Sequence, residues 1–144
     1  MKKNPKSKRA EILIGIDPGK KTGVAVTIYG KLEYLYTIDF WMCYDFITTG
    51  YRTDQTEIHI EDTSDLPIFH KGMNKRSMGE IGRRVGSVCR EAELLNIGFS
   101  RLGYTVIMHR NKKTSKIDSE TFKRLTGWKG RSNQHERDAV CLII

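Results

Sequence analysis

The chain has few cysteines and few prolines, fewer acids than bases, and no long apolar run. Cys43, Cys89 and Cys141 are an odd number without CxxC spacing, which argues against a disulfide framework and a cysteine zinc site. A reducing, cytoplasmic compartment is the expectation. No apolar stretch approaches the ~20 residues that a membrane span needs, and the basic start Met1–Arg9 lacks the apolar stretch of a signal peptide. The chain therefore reads as a soluble protein with a flexible basic arm over residues 1–10 and no membrane partner. Acids number 17 against 25 Lys and Arg, a formal charge of +8, and this points to a polyanionic partner, with nucleic acid the leading candidate. There are no repeats or low-complexity tracts. With 144 residues, the rest (11–144) reads as one domain, large enough to bury roughly two-thirds of its unfolded surface.

What is present is organised around Ile12-Leu13-Ile14-Gly15-Ile16-Asp17-Pro18-Gly19. The run is apolar and β-branched and stops at Asp-Pro-Gly, so Asp17 closes a strand. Alternation puts Leu13, Gly15 and Asp17 on one face, and Gly15 leaves room there for a ligand or a neighbouring backbone. A tight turn over Lys20 to Gly23 leads to a second strand, Val24 to Ile28. The Tyr29-Gly30-Lys31 turn leads to a third, Leu32 to Phe40. Trp41 to Ile47 suits either a short helix or a strand. Thr56 to Glu61 is a fourth strand, with Glu57, His59 and Glu61 on one face, and a second carboxylate again ends a strand. Thr63 to Asn74, with Pro67 and Gly72, reads as a loop.

Ser77 to about Leu95 has the clearest helical period, with Met78, Ile81, Val85, Val88, Ala92 and Leu95 in one stripe. Gly79, Gly82 and Gly86 beside it each cost about 1 kcal/mol against alanine. They imply close approach of another backbone, either the domain's own sheet or a partner subunit's helix. Tyr104 to Met108 is a fifth strand, followed by a basic loop, His109 to Lys116. A helix capped by Asp118 or Ser119 runs to Leu125 and ends at Gly127. Asn133 and Glu136 form a capping-box-like start for a last helix, whose first turn carries His135 and Asp138 on one face. The order β-β-β-(α)-β-α-β-α-α fits an α/β fold: a mixed five-stranded sheet flanked by helices. Asp17 and Glu61 would meet at the carboxyl ends of adjacent parallel strands, and the last helix would bring Asp138 to them.

Three carboxylates and a histidine at one point of a basic protein imply an oxygen-ligated divalent metal, Mg²⁺ or Mn²⁺. Two ions about 4 Å apart would activate water and stabilise the leaving oxygen of a phosphodiester. Asp17 would bridge them, with Glu61 on one and Asp138 on the other; His135 would ligate the second ion or shuttle a proton. Glu136 reads as a cap in preference to a ligand. Asp62, His59, His70 and His109 read as surface or structural residues.

Four motifs in this order resemble a known family: Ile14-Gly15-Ile16-Asp17-Pro18-Gly19 with Thr22-Gly23-Val24-Ala25-Val26; Ile58-His59-Ile60-Glu61; Leu125-Thr126-Gly127-Trp128-Lys129-Gly130-Arg131; and His135-Glu136-Arg137-Asp138-Ala139. Together, over residues 11 to 143, the chain resembles the RuvC-type Holliday junction resolvases of the RNase H-like superfamily, phage-encoded members in particular. The resemblance implies an RNase H-like sheet and a Mg²⁺-dependent endonuclease that cuts four-way DNA junctions. It implies two metal ions held by Asp17, Glu61 and Asp138, a functional His135, and a lysine supporting cleavage at Lys123. Bacterial members usually place an extra helix before the final motif, and this chain has only a few residues there.

Lys71, Lys112, Lys113, Arg124, Lys129 and Arg131 are candidate DNA contacts, and Phe69, in the loop Pro67-Ile68-Phe69-His70, is a candidate for stacking on bases. Paired cuts on a junction call for two subunits, so a homodimer through the Ser77–Leu95 helix is expected. Two other functions compete: a YqgF-like RNA-processing nuclease, whose opening motif is similar, and a non-enzymatic basic nucleic-acid-binding domain.

Overall fold

The computed structural model describes residues 10–62, 72–110 and 116–144. The arm up to residue 9, the Pro67–His70 loop with Phe69, and Lys71, Lys112 and Lys113 lie outside the described residues.

The chain runs β1 (Ile12–Asp17), β2 (Thr22–Ile28), β3 (Lys31–Ile38), α1 (Phe40–Gly50), β4 (Thr56–Asp62), α2 (Lys75–Leu102), β5 (Thr105–Arg110), α3 (Ser119–Thr126) and α4 (Gln134–Cys141). The sheet order is β3-β2-β1-β4-β5. β1 and β3 are antiparallel to β2, while β1, β4 and β5 are mutually parallel. This is the expected mixed five-stranded sheet, flanked by four helices.

Several boundaries differ from the expected ones: β2 already starts at Thr22, and β5 runs on through His109 and Arg110, which were expected in the basic loop because their ladder with Glu61 and Asp62 is not visible in the sequence. Three further shifts have a local reason. β3 stops at Ile38 because the Asp39 carboxylate accepts from the Met42 N–H and caps α1, which settles the helix-or-strand question at 41–47. α2 begins earlier, behind its cap Asn74, and runs on to Leu102, since the stripe continues through the buried Phe99. Gly103, at φ 99°, ends it in the left-handed region that glycine tolerates.

The two sheet faces are covered differently. Ile14, Ile16, Val24, Val26, Ile58 and Ile60 pack against Cys43 and Ile47 of α1 and Ala92, Leu95 and Phe99 of α2. On the other face, Ala25 packs with Phe122 of α3 and with Ala139, Val140 and Ile143 in and after α4. Two glycines set how closely α4 lies. A Cβ at Gly15 would overlap the Ala139 carbonyl, and one at Gly23, directly across from Asp17, would overlap the His135 carbonyl. Of the two readings of Gly15, the neighbouring backbone is the one found. Gly23→Ala should therefore push α4 off the sheet, lowering stability by about 1–3 kcal/mol. Denaturant unfolding would show it, and an unchanged midpoint would mean that α4 is not seated as described.

At about 1.5 Å per residue, α2 is roughly 42 Å long, about twice the length of β4 beside it. Its C-terminal half carries all its fully buried residues, whereas Met78, Ile81, Val85 and Val88 are only partly covered. A Cβ at Gly79 or Gly86 would meet no atom of the described residues within contact distance. Close packing on the domain's own sheet is thus not what these two glycines serve. Among the described residues no helix is long and apolar enough to cross a membrane.

Candidate active site

Asp17 ends β1 and Glu61 is the last residue but one of the neighbouring parallel strand β4; with Ile16 pairing with Ile60, their side chains emerge side by side on the α4 face. Asp17 is 7% exposed. Burial, then the hydrogen bond and charge of Asp17, then the charge of Asp138, push the Glu61 carboxyl up to about 8. Burial also raises Asp17, against the lowering effect of its hydrogen bond with Glu61. The pair thus holds a proton near neutrality, with Glu61 donating to Asp17, because two buried carboxylates this close cannot both ionise cheaply.

α4 brings the rest. Its capping box is formed, the Asn133 side chain accepting from the Glu136 N–H and Glu136 Oε2 accepting from the Asn133 N–H at 2.9 Å. The other Glu136 oxygen accepts from the Thr37 hydroxyl at 2.9 Å, so this acid pins α4 to β3 and is not turned to the site. The helix start held in this way sets His135 over Asp17, with Nδ1 donating to Oδ2 at 3.0 Å. One turn on, Asp138 is close enough to raise both other acids; Gln134 Nε2 donates to its Oδ1 at 2.6 Å. The structure therefore brings Asp17, Glu61, His135 and Asp138 together.

Lys123 and Arg124 are exposed in the last turn of α3, and Lys129 and Arg131 are exposed in the link to α4. Among the described residues no hydrogen bond or ion pair joins Lys123 to the acids. Asp62 follows Glu61 and so points to the opposite face.

Two features went unread in the sequence. Lys116 lies 3.7 Å from Asp138 Oδ2 and lowers the proton affinity of Asp17 and Glu61. His59, on the Glu61 face of β4, lies with Nδ1 2.6 Å from His109 Nε2 and with Nε2 2.7 Å from Glu57. Glu57 accepts from His59, which accepts from His109, so the tautomers are set if both rings are neutral. The alternation Glu57-His59-Glu61 was visible, but the β4–β5 register that adds His109 was not.

Among the described residues no three His, Cys, Asp or Glu side chains are already arranged as a metal cage. The donor chemistry nonetheless suits a hard divalent ion. Three carboxylates crowd one point, two of them share a proton, and the cation beside them is an exposed lysine. Asp17, Glu61 and Asp138 are the residues that would hold such an ion.

A pH dependence follows from Glu61. Its folded value lies above the ordinary 4.5, so its contribution to stability is complete below that value and is lost as pH rises through about 8. The metal-free protein should melt at a lower temperature at about pH 9 than at about pH 6, and Mg²⁺ should offset the difference. Melting curves with EDTA or Mg²⁺ at both pH values check this; a metal-free protein that melts no lower at the higher pH would contradict it.

No protein-family model matches the chain, and no curated protein sequence does. Among solved structures, that of Thermus thermophilus RuvC is similar, with a TM-score of 0.49 and 15% identity over 91% of this chain and 90% of that one.

Proposed function

We propose that this chain is a metal-dependent endonuclease, one domain behind a basic arm, that resolves four-way DNA junctions by paired nicks. The observation that carries the reading is the convergence of Asp17, Glu61 and Asp138, far apart in sequence, at one end of the sheet with His135 on Asp17. Mg²⁺ or Mn²⁺ bound there, two ions per site, would polarise the phosphate and lower the pKa of the attacking water. The chain's own residues do the remainder. Asp17 and Glu61, freed of the proton that they share, and Asp138 from α4 are the three carboxylates that would hold the ions. His135 holds the orientation of Asp17 through Nδ1, and its half-exposed ring is open to solvent for proton transfer. Lys123, Arg124, Lys129 and Arg131, with Lys71, Lys112 and Lys113, supply phosphate contacts, and Phe69 stacks on bases at the junction centre.

Choosing a junction as substrate leans on the ordered motifs, above all the basic turn Lys123 to Arg131 just before α4. Only residues 127–133 separate α3 from α4, which suits a phage-type resolvase better than a bacterial one. The opening Asp17-Pro18-Gly19-Lys20-Lys21-Thr22-Gly23-Val24-Ala25 keeps a second reading in play, a YqgF-like RNA-processing nuclease with the same carboxylates. A non-enzymatic binding domain gives no reason to bury Asp17 against Glu61, which costs stability.

Incubating the protein with Mg²⁺ and a labelled four-way junction, duplex DNA or structured RNA separates the three. Paired symmetric nicks in the junction are expected; preferential RNA cleavage would favour the second reading, and binding without cleavage the third.

A further inference from the structure

Arg137 points its whole guanidinium into the frame of the site. Its Nε donates to the Ile117 carbonyl at 2.9 Å, one Nη to the Ser132 carbonyl at 2.7 Å and the Ser132 hydroxyl at 3.2 Å, and the other Nη to Gln134 Oε1 at 3.1 Å. Two of these contacts reach the acids at one remove. Gln134, its oxygen held by Arg137, presents Nε2 to Asp138 Oδ1, which leaves Oδ2 to face Lys116. Ile117 is the neighbour of Lys116, so the bond to its carbonyl fixes the backbone from which that lysine reaches Asp138.

Neither role is explained by stability alone. The start of α4 is already capped by Asn133 and Glu136. The Lys116 side chain is 71% exposed, and an ion pair at such exposure contributes little to folding. Lys116 is nevertheless set beside the carboxylates, 3.7 Å from Asp138 Oδ2 and near enough for its charge to act on Asp17 and Glu61. A planar guanidinium with a fixed fork of donors suits a bracket of this kind, which lysine would not reproduce.

We propose that Arg137 is a positioning residue that sets Asp138 and Lys116 together, and that Lys116 is the cation meeting the phosphate of the strand over the acidic cluster. The assignment rests on the nuclease reading above. With Asp138 engaged by an ion, the Lys116 ammonium, which now faces Asp138 Oδ2, would be released to the substrate. Lys116 acts on the phosphate itself, whereas Arg137 acts only through Gln134 and Ile117.

The test uses the full-length protein with Lys116→Gln, Lys116→Arg, Arg137→Gln and the Lys116→Gln/Arg137→Gln double variant. Single-turnover cleavage at saturating nucleic acid and Mn²⁺ affinity without nucleic acid are both measured. Lys116→Gln should slow cleavage about tenfold, less than removing a buried transition-state donor because Lys116 is exposed, and should not weaken Mn²⁺ binding. Lys116→Arg should restore most of the rate. Arg137→Gln should slow cleavage at least as much and also weaken Mn²⁺ binding, and adding Lys116→Gln should cost little more, since the two act as one unit.

A wild-type rate in Lys116→Gln, or losses that multiply in the double variant, would overturn the proposal. Should Arg137→Gln not fold, Gln134→Leu cuts the link to Asp138 alone, and Mn²⁺ affinity unchanged by it would overturn the positioning role. A wild-type protein inert towards every nucleic acid in Mg²⁺ would instead refute the nuclease reading itself, and this assignment with it.

Discussion

Asp17→Asn is expected to leave the protein folded and bound to DNA but to lower cleavage by a factor on the order of 10³ or more, as is Glu61→Gln. The cause is electrostatic. Asp17 is 7% exposed and shares a proton with Glu61, so the folded protein already bears the cost of two crowded acids. Replacing either by its neutral amide removes repulsion, and the melting temperature of the metal-free protein should hold or rise. What goes is the negative charge that draws in a divalent ion. Asp138→Asn should behave likewise, while His135→Ala should show a milder loss because its ring is half exposed and touches the centre through Asp17 alone. Single-turnover cleavage, a band-shift titration and a melting curve on each variant check the three parts. Retained cleavage in Asp17→Asn would remove the carboxylates from the mechanism.

Gly86→Arg is expected to turn a dimer into a monomer and to replace paired nicks by single, unpaired ones. One site makes one cut, and resolution needs two cuts related by symmetry. The half of α2 before Glu91 leaves its apolar stripe only partly covered, and a side chain at Gly86 would meet no described atom of its own chain. An arginine there should thus spare the monomer's fold while blocking approach of a second helix. Sedimentation and nick mapping read the two consequences separately. A monomeric wild type that still cuts symmetrically would defeat the model.

Features that depend on neighbours in sequence were legible before the structure. The apolar run ending in Asp17-Pro18-Gly19, the alternation that carries Glu61 and the Asn133–Glu136 capping box gave the strand ends and helix start that assemble the acids. Even the closeness of α4 to β1 was hinted at by Gly15. What depends on chain crossing was not legible. Lys116 was one of several loop bases until the bond from Arg137 to Ile117 set it apart. His59 and His109, fifty positions apart, meet only through the β4–β5 register. The end of α2 was placed too early although Phe99 follows Leu95 at the same helical spacing and is buried; the residue that ends the helix is Gly103.

The account turns on the Asp17–Glu61 pair exchanging its proton for a divalent ion, and calorimetric titration of the metal-free protein with Mn²⁺ tests this most directly. Run at about pH 6.5 in two buffers of different ionisation enthalpy, it should show release of close to one proton per protein on binding. Release should fade by about pH 9, because Glu61, pushed up to about 8, has then already lost its proton. Asp17→Asn should bind far more weakly. Binding with no proton released at the lower pH, or undiminished binding in Asp17→Asn, would contradict the account.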